Sequence, residues 1–404
     1  MRTLFIFFIL LLIWSCSGNK IVFHEPTPTA NTPQKITVFI DGTANNEASY
    51  TNVSKLYNLS TLQSSSNTRA IYITGIGSSD GSLSRMIYGW GTKEDVVDAY
   101  LFLIDNYNKE RNDEIYLFGF SRGAYAIRIL AGIIHVAGIP DLSHLNAKEK
   151  KHFANRLFRI QKGKYSLQTR RDRLIKKLGT IAVSNSVEIE FMGLWDTVEA
   201  LGIADFKEEY KTPNFKYVDQ LCNVKKVAHA LSLNDNRATV FTPILISHQG
   251  LIDNCKEVSI PEIVNEVWFF GAHSDVGGGY MDTDMDGISL NWMISELKPY
   301  HLIQNTDKVY EQINDKSHDP KQGFAGLFYP RRYRNLKLYA SDSLYNNGNL
   351  KIHGSVFERL KYPLNTYEQN LVKPSNYKDC FEYSEEKGYQ YIKSRNCFDV
   401  IYNK

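Results

Sequence analysis

The sequence lacks a strong excess of either charge, and this excludes several classes of protein. Its 404 residues include 47 basic and 44 acidic side chains, for a net charge of +3. Such a balance gives no electrostatic reason to expect a nucleic-acid partner. A hydrophobic fraction of 43% with 23% charged residues excludes a mostly disordered chain and a polytopic membrane protein. The length suits two or three domains, or one decorated α/β domain.

Metal-binding patterns are also scarce. The five cysteines form neither a CxxC pair nor a Cys/His pattern with metal-site spacing. Asp282, Asp284 and Asp286 resemble the start of an EF-hand calcium loop, but its twelfth position is Met293 instead of Glu. We therefore reject an EF-hand, leave an irregular cation site open, and expect no metal and no cofactor.

Long apolar runs are absent except near the start of the chain. The run from Leu4 to Trp14 is shorter than the roughly 20 residues that span a bilayer. With Arg2 before it and small residues after it, it predicts an export signal over residues 1–15. Cys16 then resembles the lipidated cysteine of a bacterial lipobox; an ordinary cleaved signal and an uncleaved anchor are the alternatives. Because Ser17 is not the Asp that retains lipoproteins at the inner membrane, we predict an outer-membrane location in the bacterial cell envelope.

Export would permit disulfides among the remaining cysteines. Cys380 and Cys397 are close enough in sequence to close a short C-terminal loop. The alternative is that these two cysteines, with Cys222 and Cys255, are buried free thiols.

After a proline-rich tether, assigned to residues 16–34, short apolar runs alternate with helix-length stretches. The predicted strands are Ile36–Ile40, Ala70–Thr74, Glu114–Phe118, Glu188–Leu194 and Glu266–Phe270. The predicted helices are Lys93–Asn108, Arg122–Val136, Asp219–Leu231 and Ser289–Leu297. This alternation predicts an α/β domain over residues 35–404, with a mostly parallel sheet flanked by helices.

A basic stretch interrupts the alternation and predicts a helical insertion at about residues 141–180. Lys148–Lys177 contain twelve basic residues against two acidic ones. Phe153, Leu157 and Ile160 recur at helical spacing, which predicts an amphipathic helix. The insertion is either a solvated helical pair or a surface for anionic membranes. Residues from about 300 to 404 are interpreted as decoration, with loops over residues 305–350.

The string GFSRG, residues 119–123, carries the strongest chemical signal. It follows a predicted strand and precedes a predicted helix, which is the pattern of a nucleophile elbow. There a serine occupies a tight turn, with the positive end of the helix dipole behind it. Ser121 is therefore the candidate nucleophile.

A serine alcohol needs a base, and the base needs an orienting carboxylate. In this kind of fold these follow the serine in the order acid, then histidine, at the ends of later strands. Asp196 and His273 occupy such positions, and Asp275 is expected to support the same loop. His353 is the second candidate for the base. His135 and His229, both within predicted helices, are interpreted as structural.

An oxyanion hole requires two N–H donors. The backbone of Arg122, next to the nucleophile, is one candidate. The loop after the first strand supplies Gly42 and Thr43 as the others. Asp41 is expected to hold this loop by bonding its backbone.

Several motifs together resemble an α/β-hydrolase family, often labelled uncharacterised, that includes the type VI secretion lipase effectors of bacteria. The matching segments are FIDGTANN (39–46), AYLFLIDNY (99–107), GFSRGAYAIRILAGII (119–134), GLWDTVEALG (193–202), HALSLNDNRATVFTP (229–243), EVWFFGAHSDVGGGY (266–280) and HGSVFER (353–359). The resemblance implies a Ser-Asp-His hydrolase made of Ser121, Asp196 and His273.

The resemblance further implies a phospholipase-like or lipase-like enzyme that cleaves acyl esters through an acyl-enzyme. The expected partners are a lipid or other acyl-ester substrate and the membrane that holds the lipid anchor. Type VI effectors generally carry no export signal, so the signal favours a resident envelope enzyme over an injected toxin. The alternatives are a catalytically silent surface lipoprotein that binds lipid or a partner, and an acyltransferase.

Overall fold

The structure is a computed structural model, and it describes most of the chain from residue 21 onward. The described residues are 21–25, 32–42, 45, 47–62, 67–75, 91–163, 165–198, 217, 220–237, 241–248, 251, 254–255, 260–303, 308–321, 331–341 and 349–403. The predicted signal, Cys16 and Thr43 lie outside these residues.

Strands and helices alternate along most of the chain. The strands are β1 Ile21–His24, β2 Lys35–Ile40, β3 Thr68–Ile73, β4 Glu114–Phe120, β5 Phe191–Trp195, β6 Val227–Ser232, β7 Val264–Phe269, β8 Leu350–His353, β9 Phe381–Ser384, β10 Gly388–Tyr391 and β11 Phe398–Ile401. The α-helices are α1 Asn52–Leu62, α2 Thr92–Asn106, α3 Arg122–Ala137, α4 Ala147–Ile160, α5 Leu167–Leu178, α6 Ile260–Ile263, α7 His273–Gly277, α8 Gly287–Leu297, α9 Leu336–Ala340 and α10 Ser355–Arg359. Short 3₁₀ turns are Glu47–Ser49, Thr180–Ala182, Lys298–Tyr300, Glu368–Asn370, Lys378–Cys380 and Lys393–Arg395.

Nine of the strands in the described part of the chain form one sheet, in the order β1-β3-β2-β4-β5-β6-β7-β8-β11. The pairings are parallel except that of β1 with β3. Strands β2, β4, β5, β6 and β7 therefore all end at one edge, which we call the carboxyl edge. The prediction of a mostly parallel, α/β-hydrolase-like sheet flanked by helices is confirmed.

Two hydrophobic cores cover the two faces of the sheet. Side chains alternate along β2, so that Ile36, Val38 and Ile40 enter one core while Phe39 enters the other. Helices α2 and α3 pack in the first core, and α1 and α8 pack in the second. This double cover explains why the central strands appear in the sequence as continuous apolar runs.

The basic stretch forms the predicted helical insertion, made of α4 and α5. A capping box between Asn146 and Glu149 starts α4. Its apolar stripe of Phe153, Leu157 and Ile160 is buried in the first core. Since these side chains already have a protein partner, α4 does not offer its apolar face to a membrane surface, and this favours the solvated helical pair.

The helix predicted over residues 219–231 is wrong. Val227–Ser232 instead form β6, which lies between β5 and β7 and is buried along its whole length. A strand buried on both faces shows no alternation, so hydrophobic periodicity does not distinguish it from a buried helix.

The tether assigned to residues 16–34 is also too long. Ile21–His24 pair antiparallel with β3 and form the edge of the sheet, so the fold begins before Lys35. A four-residue edge strand is too short to show a periodic signal, and cross-strand pairing decides its conformation.

The C-terminal region contributes more than decoration. Strands β8 and β11 extend the main sheet in parallel, and β9 and β10 form a separate hairpin. Two disulfides are present. Cys380–Cys397 is one of the two alternatives that the sequence left open, and Cys222–Cys255 is a pair that the sequence did not indicate.

We predict that removal of the Cys380–Cys397 bridge lowers the free energy of unfolding by about 2–4 kcal/mol, because a closed loop of this size limits the unfolded chain. The measurement is urea denaturation of the oxidised wild type and of the C380A/C397A double variant. A variant that unfolds at the wild-type urea concentration would contradict the prediction.

Candidate active site

Ser121 occupies a sharp turn between β4 and α3. Its backbone has φ 58° and ψ −123°, a conformation that an L-residue adopts only under strain. Gly123 makes the turn sterically feasible, since a β-carbon there would lie 2.1 Å from the carbonyl oxygen of Ile40. The structure therefore has the nucleophile elbow that the GFSRG string predicts.

Ser121, His273 and Asp196 form a hydrogen-bonded chain at the carboxyl edge. Nε2 of His273 lies 2.8 Å from Oγ of Ser121, and its Nδ1 lies 2.6 Å from Oδ2 of Asp196. Ser121 follows β4, Asp196 follows β5, and His273 begins α7 just after β7. All three are buried, with 4% of Ser121 and of His273 exposed and none of Asp196. The structure thus brings together the three residues that the sequence analysis selected.

The turns that carry the serine and the acid are bonded to each other. The Ser121 N–H donates to the carbonyl of Trp195 at 3.0 Å, and the Val198 N–H donates to the carbonyl of Ser121 at 3.4 Å. Asp196, between these partners, also has a positive φ of 37°. The backbone therefore fixes the acid relative to the nucleophile.

Arg334 binds both oxygens of the Asp196 carboxylate. Its two terminal nitrogens donate to Oδ1 and Oδ2 at 2.8 Å each, and the Ser232 N–H donates to Oδ1 at 3.0 Å. Arg334 is fully buried and also donates to the carbonyl of Phe241 at 2.8 Å. Burial opposes ionisation of Asp196, but Arg334 and His273 outweigh it and hold the pKa of Asp196 well below its usual value.

The loop that carries His273 is held by buried polar side chains. Asn234 accepts from the Gly271 N–H at 2.9 Å, and Asp235 accepts from the His273 N–H at 3.3 Å. A salt bridge to Arg237, only 2.7 Å long, helps to keep the pKa of Asp235 below its usual value against the effect of burial. These bonds tie the base to the segment after β6.

Asp275 supports this loop from within α7. It accepts from the Ala272 N–H at 2.9 Å and contacts Nδ1 of His318 at 2.9 Å. Burial raises the pKa of Asp275, whereas its hydrogen bonds oppose that rise. The pKa of His318 is also raised, because its bonds to Asp275 and Asp282 outweigh the effect of burial.

Aromatic rings confine the imidazole. The ring centroids of Phe120 and Phe241 lie 4.6 Å and 4.9 Å from that of His273. Phe120 also fills the space beside Gly277, where a β-carbon would lie 2.1 Å from the ring. The residue before the nucleophile thus packs against both the base and its loop.

The loop after β2 lies close to Ser121, as the oxyanion-hole prediction requires. A β-carbon on Gly42 would lie 3.2 Å from Cβ of Ser121. The Gly42 N–H donates to Oδ1 of Asp41 at 2.6 Å, so Asp41 does bond the backbone of this loop. Because this N–H already has an acceptor, it is not available to an oxyanion, and the prediction for Gly42 is wrong. Asp41 also accepts from Thr51 at 2.6 Å and Tyr72 at 2.5 Å, while burial raises its pKa to about 6.

The other oxyanion-hole candidate is the backbone of Arg122. Arg122 begins α3, so its backbone N–H belongs to the helix N-terminus beside Ser121.

His353, the second candidate for the base, belongs elsewhere. It ends β8, contacts Ser355 and Asn403 at 2.8 Å and 3.0 Å, and stacks on Phe269. Burial lowers its pKa. These partners account for its ring nitrogens, so the structure rules out His353 as the base partner of Ser121.

His229 is structural, as expected, but in a strand. Its Nδ1 lies 2.8 Å from Oε2 of Glu266, and its Nε2 lies 3.0 Å from Oγ1 of Thr197. It therefore supports the residue that follows Asp196.

Within the described residues, no group of three or more His, Cys, Asp and Glu side chains is placed to hold a metal ion. Two of the three EF-hand-like aspartates have other side-chain partners. Asp286 pairs with Lys55 at 2.6 Å, and Asp282 contacts Lys316 and His318.

Sequence patterns did not identify Arg334 or the Asn234–Asp235 pair as parts of the site. Asn234 and Asp235 lie inside the HALSLNDNRATVFTP segment, where a polar run directly after a buried strand was an available signal. Arg334 had none, because it lies in a polar region without periodicity.

We predict that Arg334→Met lowers the free energy of unfolding at neutral pH by about 3–5 kcal/mol, because it leaves the buried Asp196 charge uncompensated. Without Arg334, burial raises the pKa of Asp196. The variant's deficit therefore shrinks as pH falls and Asp196 takes up a proton. Urea denaturation at neutral pH and at about pH 4.5 measures both effects.

Two controls accompany this test. The D196N/R334M variant carries no buried charge at either position, so its deficit should be smaller than that of R334M and nearly independent of pH. Arg332→Ala, which alters an exposed arginine of the same segment, should have little effect. A deficit in R334M that is equal at both pH values would contradict the electrostatic role.

Comparison with known proteins places the chain in a family. A family model for the catalytic domain of Tle1-like phospholipase effectors of the type VI secretion system matches residues 34–296. An uncharacterised protein of Saccharomyces cerevisiae is 28% identical over 247 residues, covering 54% of this chain and 34% of that protein.

Solved structures give more distant similarities. An uncharacterised protein from Pseudomonas aeruginosa is 18% identical, with a TM-score of 0.37, 65% of this chain covered and 45% of that chain. The Tle1 effector bound to the VgrG spike is 21% identical, with a TM-score of 0.33, 63% of this chain covered and 52% of that chain. An esterase from Thermogutta terrifontis is 14% identical, with a TM-score of 0.39, and the match covers 72% of this chain and 90% of the esterase.

The chain thus spans about a third of the yeast relative and about half of the first two structures. The family match covers well over half of the present chain, and it includes Ser121, Asp196 and His273. The resemblance inferred from the motifs is confirmed: the chain belongs to the Tle1-like phospholipase effector family of the type VI secretion system, through that family's catalytic domain.

Proposed function

We propose that the protein is a serine ester hydrolase that cleaves acyl esters of phospholipids or related lipids. The observation that carries this proposal is the bonded chain from Oγ of Ser121 through His273 to Asp196. Such an arrangement raises the nucleophilicity of a serine alcohol. Membership of a phospholipase effector family supports the choice of a lipid ester as the substrate.

In the proposed reaction, Nε2 of His273 takes the Ser121 proton as Oγ attacks the carbonyl carbon. The N–H of Arg122 stabilises the tetrahedral oxyanion, and the second donor proposed from the sequence is the N–H of Thr43. Collapse breaks the ester C–O bond, and His273 returns the proton to the leaving alkoxide. Water then attacks the acyl-enzyme, with His273 again as base, and this releases the carboxylic acid and restores Ser121.

Asp196 keeps one role throughout this cycle. Its pKa is well below the usual value, so it remains a carboxylate while His273 gains and loses a proton. It thereby selects the tautomer with the proton on Nδ1 and leaves Nε2 free to accept the serine proton. Arg334 acts through Asp196 and is a positioning residue.

We further propose that the chain is exported and anchored at the cell envelope by lipid on Cys16. The apolar segment before Cys16 and the lipobox-like cysteine support this placement. The two disulfides agree with it, since such bonds persist outside the reducing cytosol. Among the described residues, no helix has the length and apolar character needed to cross a bilayer.

We predict that a fluorophosphonate probe labels Ser121 and that Ser121→Ala abolishes labelling. Hydrolysis of a short-chain ester should fall by at least about 10⁴-fold in the same variant, because the nucleophile is lost. Peptide mass spectrometry locates the label, and Ser143→Ala is the matched control on an exposed loop. A folded wild type that neither reacts with the probe nor hydrolyses the ester would overturn the proposal. Product that appears only with an added alcohol acceptor would indicate an acyltransferase.

We predict that Cys16 carries the lipid. Cells fed an alkyne fatty acid should yield labelled wild-type protein in the outer-membrane fraction, whereas Cys16→Ser should be unlabelled because it lacks the thiol. Cys16→Ser should also remain a soluble, active esterase once released from its signal. Equal labelling of the two proteins would contradict lipidation at this residue.

A further inference from the structure

Strand β1 runs antiparallel to its neighbour β3, so its first residue, Ile21, lies at the carboxyl edge of the sheet. Ile21 pairs with Ile73, which pairs with Ile40, which in turn pairs with Gly119. These four residues form one row across β1, β3, β2 and β4. Three strand spacings of about 4.8 Å separate the ends of the row, so Ile21 lies about 14 Å from Gly119. Ser121 is two residues beyond Gly119.

The lipid attachment site is only a short distance from this row. Five residue steps separate Cys16 from Ile21, and an extended chain of that length spans at most about 18 Å. With the lipid of Cys16 in a bilayer, the Ile21 end of this row stays within that distance of the head groups. A parallel first strand would have placed its first residue at the opposite edge.

Exposed apolar side chains lie near the same edge. Met281 is 71% exposed and Tyr50 is 51% exposed, although most large apolar residues of the described chain are buried. Thr51 and Gly278 form an antiparallel bridge that brings the segments of Tyr50 and Met281 together. Since Gly278 follows the His273 helix directly, these side chains flank the catalytic loop.

The basic insertion lies toward the other end of the molecule. Arg171 of α5 donates to the carbonyls of Val136 and His135, at the C-terminal end of α3. Helix α3 begins next to Ser121, and its 16 residues span about 24 Å. The exposed bases of α5, such as Lys176, therefore lie nearer the C-terminal end of α3 than the carboxyl edge, and a membrane bound there would lie far from Ser121.

We propose that the Cys16 lipid and strand β1 together orient the enzyme, with the carboxyl edge and Met281 facing the bilayer that holds the anchor. The partner of this surface is the lipid head-group layer of the enzyme's own membrane. This inference rests on the proposed ester hydrolase and its lipid anchor, and it adds that the substrates are lipids of the anchoring membrane.

Orientation is measured independently of catalysis. Lipidated full-length protein with the Ser121→Ala change is reconstituted into vesicles, with a nitroxide label on Met281→Cys or, as the matched control, on Lys176→Cys. A nickel chelate attached to lipid head groups relaxes nearby nitroxides. We expect strong relaxation at position 281 and little at position 176. The reverse pattern, or equal relaxation at both positions, would overturn the proposal.

The functional consequence is measured with two populations of vesicles that carry different fluorescent phospholipids. The lipidated wild type is held in one population only. We expect its own lipid to be hydrolysed at least about tenfold faster, because anchoring raises the effective concentration. Met281→Ser should reduce this hydrolysis while hydrolysis of a soluble short-chain ester stays unchanged. If the wild type hydrolyses both lipid populations equally and also hydrolyses the soluble ester, the proposed orientation is refuted and the proposed enzyme is not. If the wild type does not hydrolyse the soluble ester, the proposed enzyme itself is refuted.

Discussion

One buried carboxylate, Asp196, holds the candidate site together. It has no contact with solvent, yet it remains ionised because His273 binds its Oδ2 and Arg334 binds both of its oxygens. Removing a charge from water is costly unless its partners are present in good geometry. The acid after β5, the base after β7 and the arginine before α9 must therefore assemble as a unit, and this requirement ties the C-terminal third of the chain to the hydrolase sheet.

Strain at the site is concentrated where the backbone is most strongly held. Ser121 and Asp196 both have a positive φ, at a cost of about 1–3 kcal/mol for each such residue. They follow neighbouring parallel strands, and the hydrogen bonds between their turns continue the pairing of β4 with β5. The sheet thus offsets the strain, and the two turns present their side chains toward one histidine.

Sequence patterns predicted the parts of the fold whose signals are local. The GFSRG string identified Ser121, and buried strands followed by Asp196 and His273 identified residues that the structure brings together. Strand β6 was mistaken for a helix because burial on both faces removes alternation. Strand β1 and Arg334 were missed because cross-strand pairing and a long-range ion pair define them, and neither leaves a local pattern. The lipid on Cys16 stays a prediction.

The packing of Phe120 has a consequence for how sequences of this family can vary. Its ring lies against His273 and fills the space that a side chain at Gly277 would occupy. A smaller residue at position 120 would leave room for alanine at 277, but the imidazole of His273 would then be packed less closely. A larger residue at 277 requires a smaller one at 120. We therefore expect positions 120 and 277 to covary among homologues, as a signature of a base positioned by shape as well as by charge.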